Sequence, residues 1–325
     1  MSRSILLQNW LARHFSLSPE QISLTPASAD ASFRRYFRLW LADGSTRIVM
    51  DAPPEHEDCR PFLHVAALFG NAGVHVPEVY AENLEQGFLL LSDLGNITYL
   101  QVLDADSAPR LYRDANQALI NIQLASRPGI LPDYDRALLE RELNLFPDWY
   151  IARHLGVTLD AQQEAALRSV FVQILDSNLA QPPVFVHRDY HSRNLMLIEN
   201  GQNPGVIDFQ DAVYGPLTYD LVSLYRDAYI AWEEAQELDF VIRYWEAARA
   251  AGLPVRSDFD DFYRDYEWMG AQRQIKVLGI FARLYHRDGK DGYLKDMPRV
   301  MAYLRRTCER YPELKPLLQL LDKLE

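Results

Sequence analysis

The stretch VFVHRDYHSRNLML, residues 184–197, constrains the fold more than any other part of this chain. Eight consecutive polar or ionisable positions, His187 to Asn194 with Tyr190 among them, sit between two short apolar runs. A third apolar run, GVIDF, follows the turn residues NGQN. Short apolar runs bounded by turn signals read as strands, so the order is strand, loop, strand, turn, strand. Charged groups cannot be buried without partners, so the loop must open toward solvent or a ligand while its flanks are held by core. On both sides of this β interlude the apolar residues recur at threes and fours, as in LYRDANQALINIQLAS, DRALLERELNLFPDWYIARHL and DAQQEAALRSVFVQILDSNLA. The loop is therefore set in a largely helical domain.

The first 95 residues follow a different pattern. Leu6, Leu7, Trp10 and Leu11 fall at helical spacing, which predicts an amphipathic first helix rather than a leader peptide. ISLTPASA, FRRYFRLWL and TRIVMDA then read as an antiparallel meander, turned at ADGS. CRPFLHVAALFGNAGV is a helix with Pro61 in its first turn, and VPEVYAE and GFLLLSDLG supply two more strands. The expected fold is α+β and bilobal. A five-stranded antiparallel N-lobe occupies residues 1–95, a larger, mainly helical C-lobe occupies 96–325, and a hinge falls near 92–96.

Composition narrows the partners. A formal charge of −12 argues against nucleic-acid backbones and anionic membranes. Two cysteines far apart, Cys59 and Cys308, speak against a disulfide framework or zinc site and for the cytoplasm. No apolar run reaches the length of a membrane span. A monomer acting on a small molecule is expected.

In HRDYHSRN followed by DFQD, an Asp, an Asn and a second Asp recur in the order and near the spacing of the kinase pattern H-R-D-x-x-x-x-N and Asp-Phe-Gly. The chemistry explains the residue types. Phosphoryl transfer from ATP uses Mg2+, which prefers hard oxygen ligands; Asn194 and Asp208 can supply an amide oxygen and a carboxylate. Asp189 is the candidate base that orients the acceptor hydroxyl and takes its proton. Two rival readings are a solvated loop and an H-x-D-x-H metal site of His187, Asp189 and His191. The ordered set with strands on both sides outweighs the first, and no second His/Asp-rich motif completes the other.

On these residues the chain resembles the aminoglycoside phosphotransferase and choline kinase superfamily over nearly its whole length. The catalytic loop of that family commonly reads H-G-D-x-H-x-x-N, with a histidine where His191 stands. Between Asp208 and Asp220 there is no room for the activation segment of a protein kinase. The resemblance implies structural roles for His187 and Asp220, the latter steadying the catalytic loop. It also places Ser92, Asp93 and Leu94 at the strand-to-hinge position where adenine is held. The phosphate-covering turn would fall at Ser28, Ala29, Asp30, Ala31 and Ser32, without a glycine. The family's third-strand lysine aligns with Met50 or Asp51, and its glutamate partner with the neighbourhood of Phe62, so both are lost together. Arg34 or Arg35 is the expected substitute cation for the ATP phosphates.

Within the superfamily, SADASFRRYFRL, VMDAPPE, HRDYHSRNLM, DFQDAVYGPLTYDL and QRQIKVLGIFARLYHRDGKDGYL look most like bacterial cell-wall-recycling kinases that phosphorylate the anomeric hydroxyl of N-acetylmuramic acid and N-acetylglucosamine. An amino-sugar acceptor would need carboxylates, an aromatic face and, for the lactyl carboxylate, a cation. Glu142, Asp148 and Trp149, together with Asp211, Arg273 and Lys276, are the candidates. Aminoglycosides, choline or homoserine as acceptors, and a nucleotide-binding scaffold without turnover, are the alternatives.

Overall fold

The structure, a computed structural model, describes residues 2–29, 33–199 and 201–324, with the side chains of Ser28 and Ala29 excepted. Asp30, Ala31 and Ser32 of the expected phosphate-covering turn lie outside the described residues. The chain divides into two compact units, Met1–Ile97 with Met196–Asp211, and Thr98–Leu195 with Ala212–Glu325. The excursion Met196–Asp211, which carries Asp208, belongs with the first unit.

Unit 1 is built on helix α1 (Arg3–Phe15), strands β1 (Ser23–Ala29), β2 (Arg35–Trp40) and β3 (Thr46–Asp51), helix α2 (Arg60–Asn71), and strands β4 (Val79–Asn83) and β5 (Phe88–Ser92). The strands form one sheet in the order β1-β2-β3-β5-β4, every pairing antiparallel. Strand residues alternate between faces. Leu39, Val49, Phe88 and Leu90 form one apolar cluster with Leu7, Trp10, Leu11 and Ala12 of α1. The apolar stripe of the first helix thus covers one face of the sheet.

The same alternation decides the fate of the missing lysine. Asp51 shares the α1 face with Val49, is fully buried, and is paired with Arg3 from α1 and with Arg35, its register partner across β2–β3. Met50, also buried, points to the opposite face. Of the two aligned positions, Asp51 is therefore an internal ion-pair centre and Met50 stands on the other side of the sheet.

Unit 2 contains α3 (Tyr99–Val102), α4 (Ala108–Leu124), α5 (Arg136–Leu143), a π-helix (Phe146–His154), α6 (Ala161–Leu179) and β6 (Pro183–Val186). The two-residue strands β7 (Leu195–Met196) and β8 (Gly205–Val206) pair, β8 lying in the Met196–Asp211 excursion of unit 1, and in unit 2 β9 (Val213–Pro216) runs antiparallel to β6. Then follow α7 (Tyr219–Tyr225), α8 (Glu234–Ala250), α9 (Phe259–Asp288), α10 (Met297–Arg310) and α11 (Lys315–Leu324). The stretch DRALLERELNLFPDWYIARHL, read as one helix, is broken into α5 and the π-helix. Pro147 has no N–H to give to an α-helical ladder, and Gly279 of α9 admits Leu145 so closely that a Cβ there would lie 2.5 Å from its carbonyl carbon. No helix among the described residues is long and apolar enough to cross a membrane.

Candidate active site

The candidate catalytic turn of unit 2 leaves the buried end of β6 and is clamped at each step. Asp220, fully buried in the first turn of α7, accepts the backbone N–H of His187 at 2.6 Å and that of Arg188 at 3.0 Å. Arg188 has φ +76°, a left-handed conformation unusual for a residue with a side chain. Two residues on, Tyr190 is buried and donates its hydroxyl to Ala115 O at 2.8 Å. Ser192 gives both N–H and Oγ–H to Asp227, at 3.0 and 2.5 Å. The turn closes with Asn194, whose Nδ2 donates to Asp189 O at 3.0 Å.

That last bond bears on magnesium. It fixes the amide nitrogen toward Asp189 O, and the carbonyl oxygen of the same group is a hard donor of the kind magnesium takes. The H-x-D-x-H alternative fares worse. His187 Nδ1 accepts the Asp189 N–H at 3.3 Å, and among the described residues no group of three or more His, Cys, Asp or Glu is assembled for a metal.

Asp189 is half-buried in a cationic setting. Burial raises its pKa, but the charges of Lys276, His191, Arg273 and His187 outweigh that and leave the carboxyl below its ordinary value. A pKa near the ordinary carboxylate value would have sufficed for the base; the structure makes it a weaker base that stays ionised. Asp220 goes the other way: burial raises it to about 7, against the pull of its two backbone donors.

Behind Arg188 lies a network that no short motif announces. Glu142 of α5 accepts Arg188 Nη2 at 2.6 Å and Lys276 Nζ at 2.9 Å on the same oxygen, while its other oxygen accepts the Tyr134 hydroxyl. Lys276, 7% exposed, also donates to Tyr219 OH at 2.7 Å. Of the expected acceptor-binding residues, Glu142 and Lys276 are thus committed to each other. Asp148 is exposed and Trp149 half-exposed on the π-helix, and Arg273 is buried on α9. The sequence offers one signal of the network: arginine stands where the family commonly has the glycine of H-G-D.

In unit 1 the turn after β8 presents Asp208 at φ +64°, with Gln210 Nε2 donating to its Oδ1 at 2.9 Å and Arg34 Nη2 at 4.0 Å. Phe209 is buried against Phe62 and Phe69 of α2, ring centroids 4.9 and 6.0 Å away. An aromatic contact thus occupies the neighbourhood of the lost glutamate. Asp211 is exposed. The two candidate phosphate cations separate here: Arg35 is held by Asp51, whereas Arg34 faces the second candidate metal ligand.

At the end of β5, Ser92 Oγ accepts the Glu78 N–H at 2.9 Å. Asp93 holds Arg38 through contacts of 2.5 and 3.0 Å and accepts the Gly95 N–H at 2.9 Å. These side chains brace the segment from Glu78 to Gly95. Leu94 lies over Gly205, where a Cβ would come within 3.0 Å of both Leu94 and Ile198.

A five-stranded antiparallel sheet unit, a helical unit and a clamped HRD-type turn define a phosphotransferase of the protein-kinase-like fold. Comparison with known proteins agrees: the model of the phosphotransferase enzyme family matches residues 23–256, and the chain belongs to that family. It is 54% identical over 301 residues to the N-acetylmuramate/N-acetylglucosamine kinase of Pseudomonas aeruginosa, covering 93% of this chain and 88% of that one. It is 51% identical over 329 residues to the kinase of the same name from Neisseria meningitidis, covering 100% and 96%. Among solved structures, a choline/ethanolamine kinase family protein from Mesorhizobium loti superposes with TM-score 0.65 at 15% identity, covering 98% of each chain. The amicoumacin kinase hAmiN, in complex with AMP-PNP and Ca2+, gives 0.62 at 14% identity, covering 96% and 97%. The chain is an enzyme, a kinase acting on a small molecule.

Proposed function

We propose that the protein transfers the γ-phosphoryl group of ATP to the anomeric hydroxyl of N-acetylmuramic acid and N-acetylglucosamine, in the cytoplasm, as a monomer, returning cell-wall sugars to use. The observation that carries the substrate is the identity above 50%, over nearly the full length, to two kinases named for these sugars. Asp189 orients the acceptor O–H and takes its proton as the oxygen–phosphorus bond forms and the bond to the departing ADP breaks. An anomeric hydroxyl is more acidic than an ordinary alcohol, which suits a base held below the usual carboxylate range. Asn194 and Asp208 are the proposed magnesium ligands; magnesium supplies neutralisation of phosphate charge. Arg34 is the proposed phosphate cation of unit 1, and the backbone at Ser92, Asp93 and Leu94 the proposed adenine contact.

The test mixes protein, magnesium-ATP and each of N-acetylmuramic acid, N-acetylglucosamine, kanamycin, choline and homoserine, with ADP release as readout and phosphorus NMR of the product. A phosphate on the anomeric oxygen of both amino sugars is expected. Turnover of kanamycin, choline or homoserine alone would overturn the substrate reading. Asp189→Asn should lower kcat by about 10³-fold or more while ATP still binds; ATP binding with no turnover of any acceptor by the intact enzyme would leave a scaffold.

A further inference from the structure

Among the described residues of unit 2, each buried cation but one has an ion-pair contact. Arg226 lies between Glu237 and Glu267 at 2.6 and 2.8 Å, and Glu142 serves both Arg188 and Lys276. Arg273 is the exception. It is 5% exposed, one helical turn before Lys276 on α9, and its Nε is sealed from solvent with no hydrogen-bond partner. Among the described residues no carboxylate is paired with it. A buried guanidinium without a contacting anion is costly, and such groups are found where an anionic partner arrives from outside the chain.

Its neighbourhood says where that partner would sit. The charge of Arg273 is felt by Asp189 and Asp220, neither of them in ion-pair contact with it, and by Tyr229, over whose ring Arg193 also stands at 3.6 Å. Tyr229 also stands edge-on to His191, with centroids 5.5 Å apart, and His191 Nδ1 is likewise buried without a partner. The acceptor hydroxyl has to meet Asp189, so a group beside Arg273 belongs to the acceptor. The two sugars of the proposed function differ in one respect that a guanidinium can read: N-acetylmuramic acid carries a carboxylate and N-acetylglucosamine does not. The planar fork of arginine fits a carboxylate through two parallel N–H donors, which a lysine cannot do.

We propose that Arg273 binds the carboxylate of the acceptor and sets the preference of the enzyme for the acidic sugar over the neutral one. This rests on the function proposed above. Two other uses of the same cation make different predictions. If Arg273 contacts the transferring phosphoryl group, or acts only through its field on Asp189, its loss affects both sugars alike.

The deciding quantity is the ratio of kcat/KM for N-acetylmuramic acid to that for N-acetylglucosamine, measured in wild type, Arg273→Met and Arg273→Lys. The ratio cancels any common change in the base or in phosphate binding. It should fall roughly 30-fold in the Met variant, the loss of one charge-assisted contact, and less in the Lys variant. The methyl ester of N-acetylmuramic acid supplies the reciprocal arm. Wild type should disfavour the ester against the acid by a similar factor, and the Met variant should not distinguish them. An unchanged ratio overturns the proposal. Should the variants fail to fold, wild-type enzyme that uses ester and acid equally well also overturns it. Wild type inactive on both sugars sinks the substrate reading itself, a result distinct from active enzyme with an unmoved ratio.

Discussion

Replacing Glu142 by alanine tests the network behind the proposed catalytic turn. One carboxylate there answers two cations and a hydroxyl: Arg188 at 2.6 Å, Lys276 at 2.9 Å and Tyr134. Removing one member of a buried ion pair costs about 3–5 kcal/mol, because the remaining charge stays buried and uncompensated. Lys276 carries most of that, its side chain being 8% exposed; Arg188, at 22%, is partly relieved by water. We expect about 4 kcal/mol lost in Glu142→Ala, read as a lower urea midpoint by circular dichroism, with kcat falling at least about tenfold as the residue before Asp189 loses its anchor. A second substitution, Arg188→Gly, makes the reasoning refutable. Glycine adopts φ +76° without the ~1–2 kcal/mol that a side chain pays in the left-handed region, and it removes one of the orphaned cations. Glu142→Ala/Arg188→Gly should therefore be more stable than Glu142→Ala. The pH dependence has a definite sign. Burial raises the Glu142 pKa, but Lys276 and Arg188 draw it below the ordinary 4.5. Its stabilisation is thus complete above that value and lost as pH falls through the depressed one, so the gap between wild type and Glu142→Ala should hold above 4.5 and narrow as pH falls below it. A single variant within ~1 kcal/mol of wild type, or an added glycine that costs further stability, refutes the anchor.

Three further outcomes follow from the charges. Arg34→Ala should raise the KM for ATP about tenfold with little change in melting temperature, whereas Arg35→Ala should lower the melting temperature through Asp51 and leave KM near wild type; equal KM effects would return both arginines to candidacy. Asp51→Lys, which writes a cation into the third strand, should destabilise by about 3 kcal/mol or more, since it faces Arg3 and Arg35 on the α1 side of the sheet; improved ATP affinity in this variant would contradict the assignment of faces. The kcat/KM profile should lack an acid limb from Asp189 between about pH 5 and 8, because its carboxyl is held below the ordinary 3.8 and stays ionised throughout; an acid limb in that range would contradict the cationic setting of the carboxyl.

The fold was legible where local pattern and tertiary context agree. The meander β1–β2–β3, the helix α1 and the turn after β6 are written in alternation, helical spacing and turn residues, and each stands in the structure near its expected bounds. The break between α5 and the π-helix was not legible, because its cause includes a glycine on α9 more than 130 residues away. The chemistry of the turn divides the same way. The order of Asp189, Asn194 and Asp208 is a local signal, and Asp220 came through resemblance. Glu142 was placed by composition at the acceptor, whereas its contacts reach 46 positions to Arg188 and to Lys276 on the far helix α9. Ion pairs of such separation leave no periodicity to read. The exchange of a common glycine for Arg188 was visible, but its meaning depended on the partner.

Two departures from the family pattern share one physical logic. In unit 1, an acidic residue appears on the strand that commonly carries lysine, and Arg3 and Arg35 neutralise it within that unit. In unit 2, an arginine takes the place of a glycine, and Glu142 neutralises it within that unit. Each new charge is answered by neighbours inside its own unit, so neither substitution demands a change in Asp189, Asn194 or Asp208. A buried charge tolerates replacement only together with its partner, since either half alone is worse than both or neither. The same rule makes Arg273 the residue to question. It is buried without an ion-pair contact, Asp189 and Asp220 reaching it only through their fields, and the two proposed acceptors differ by one carboxylate.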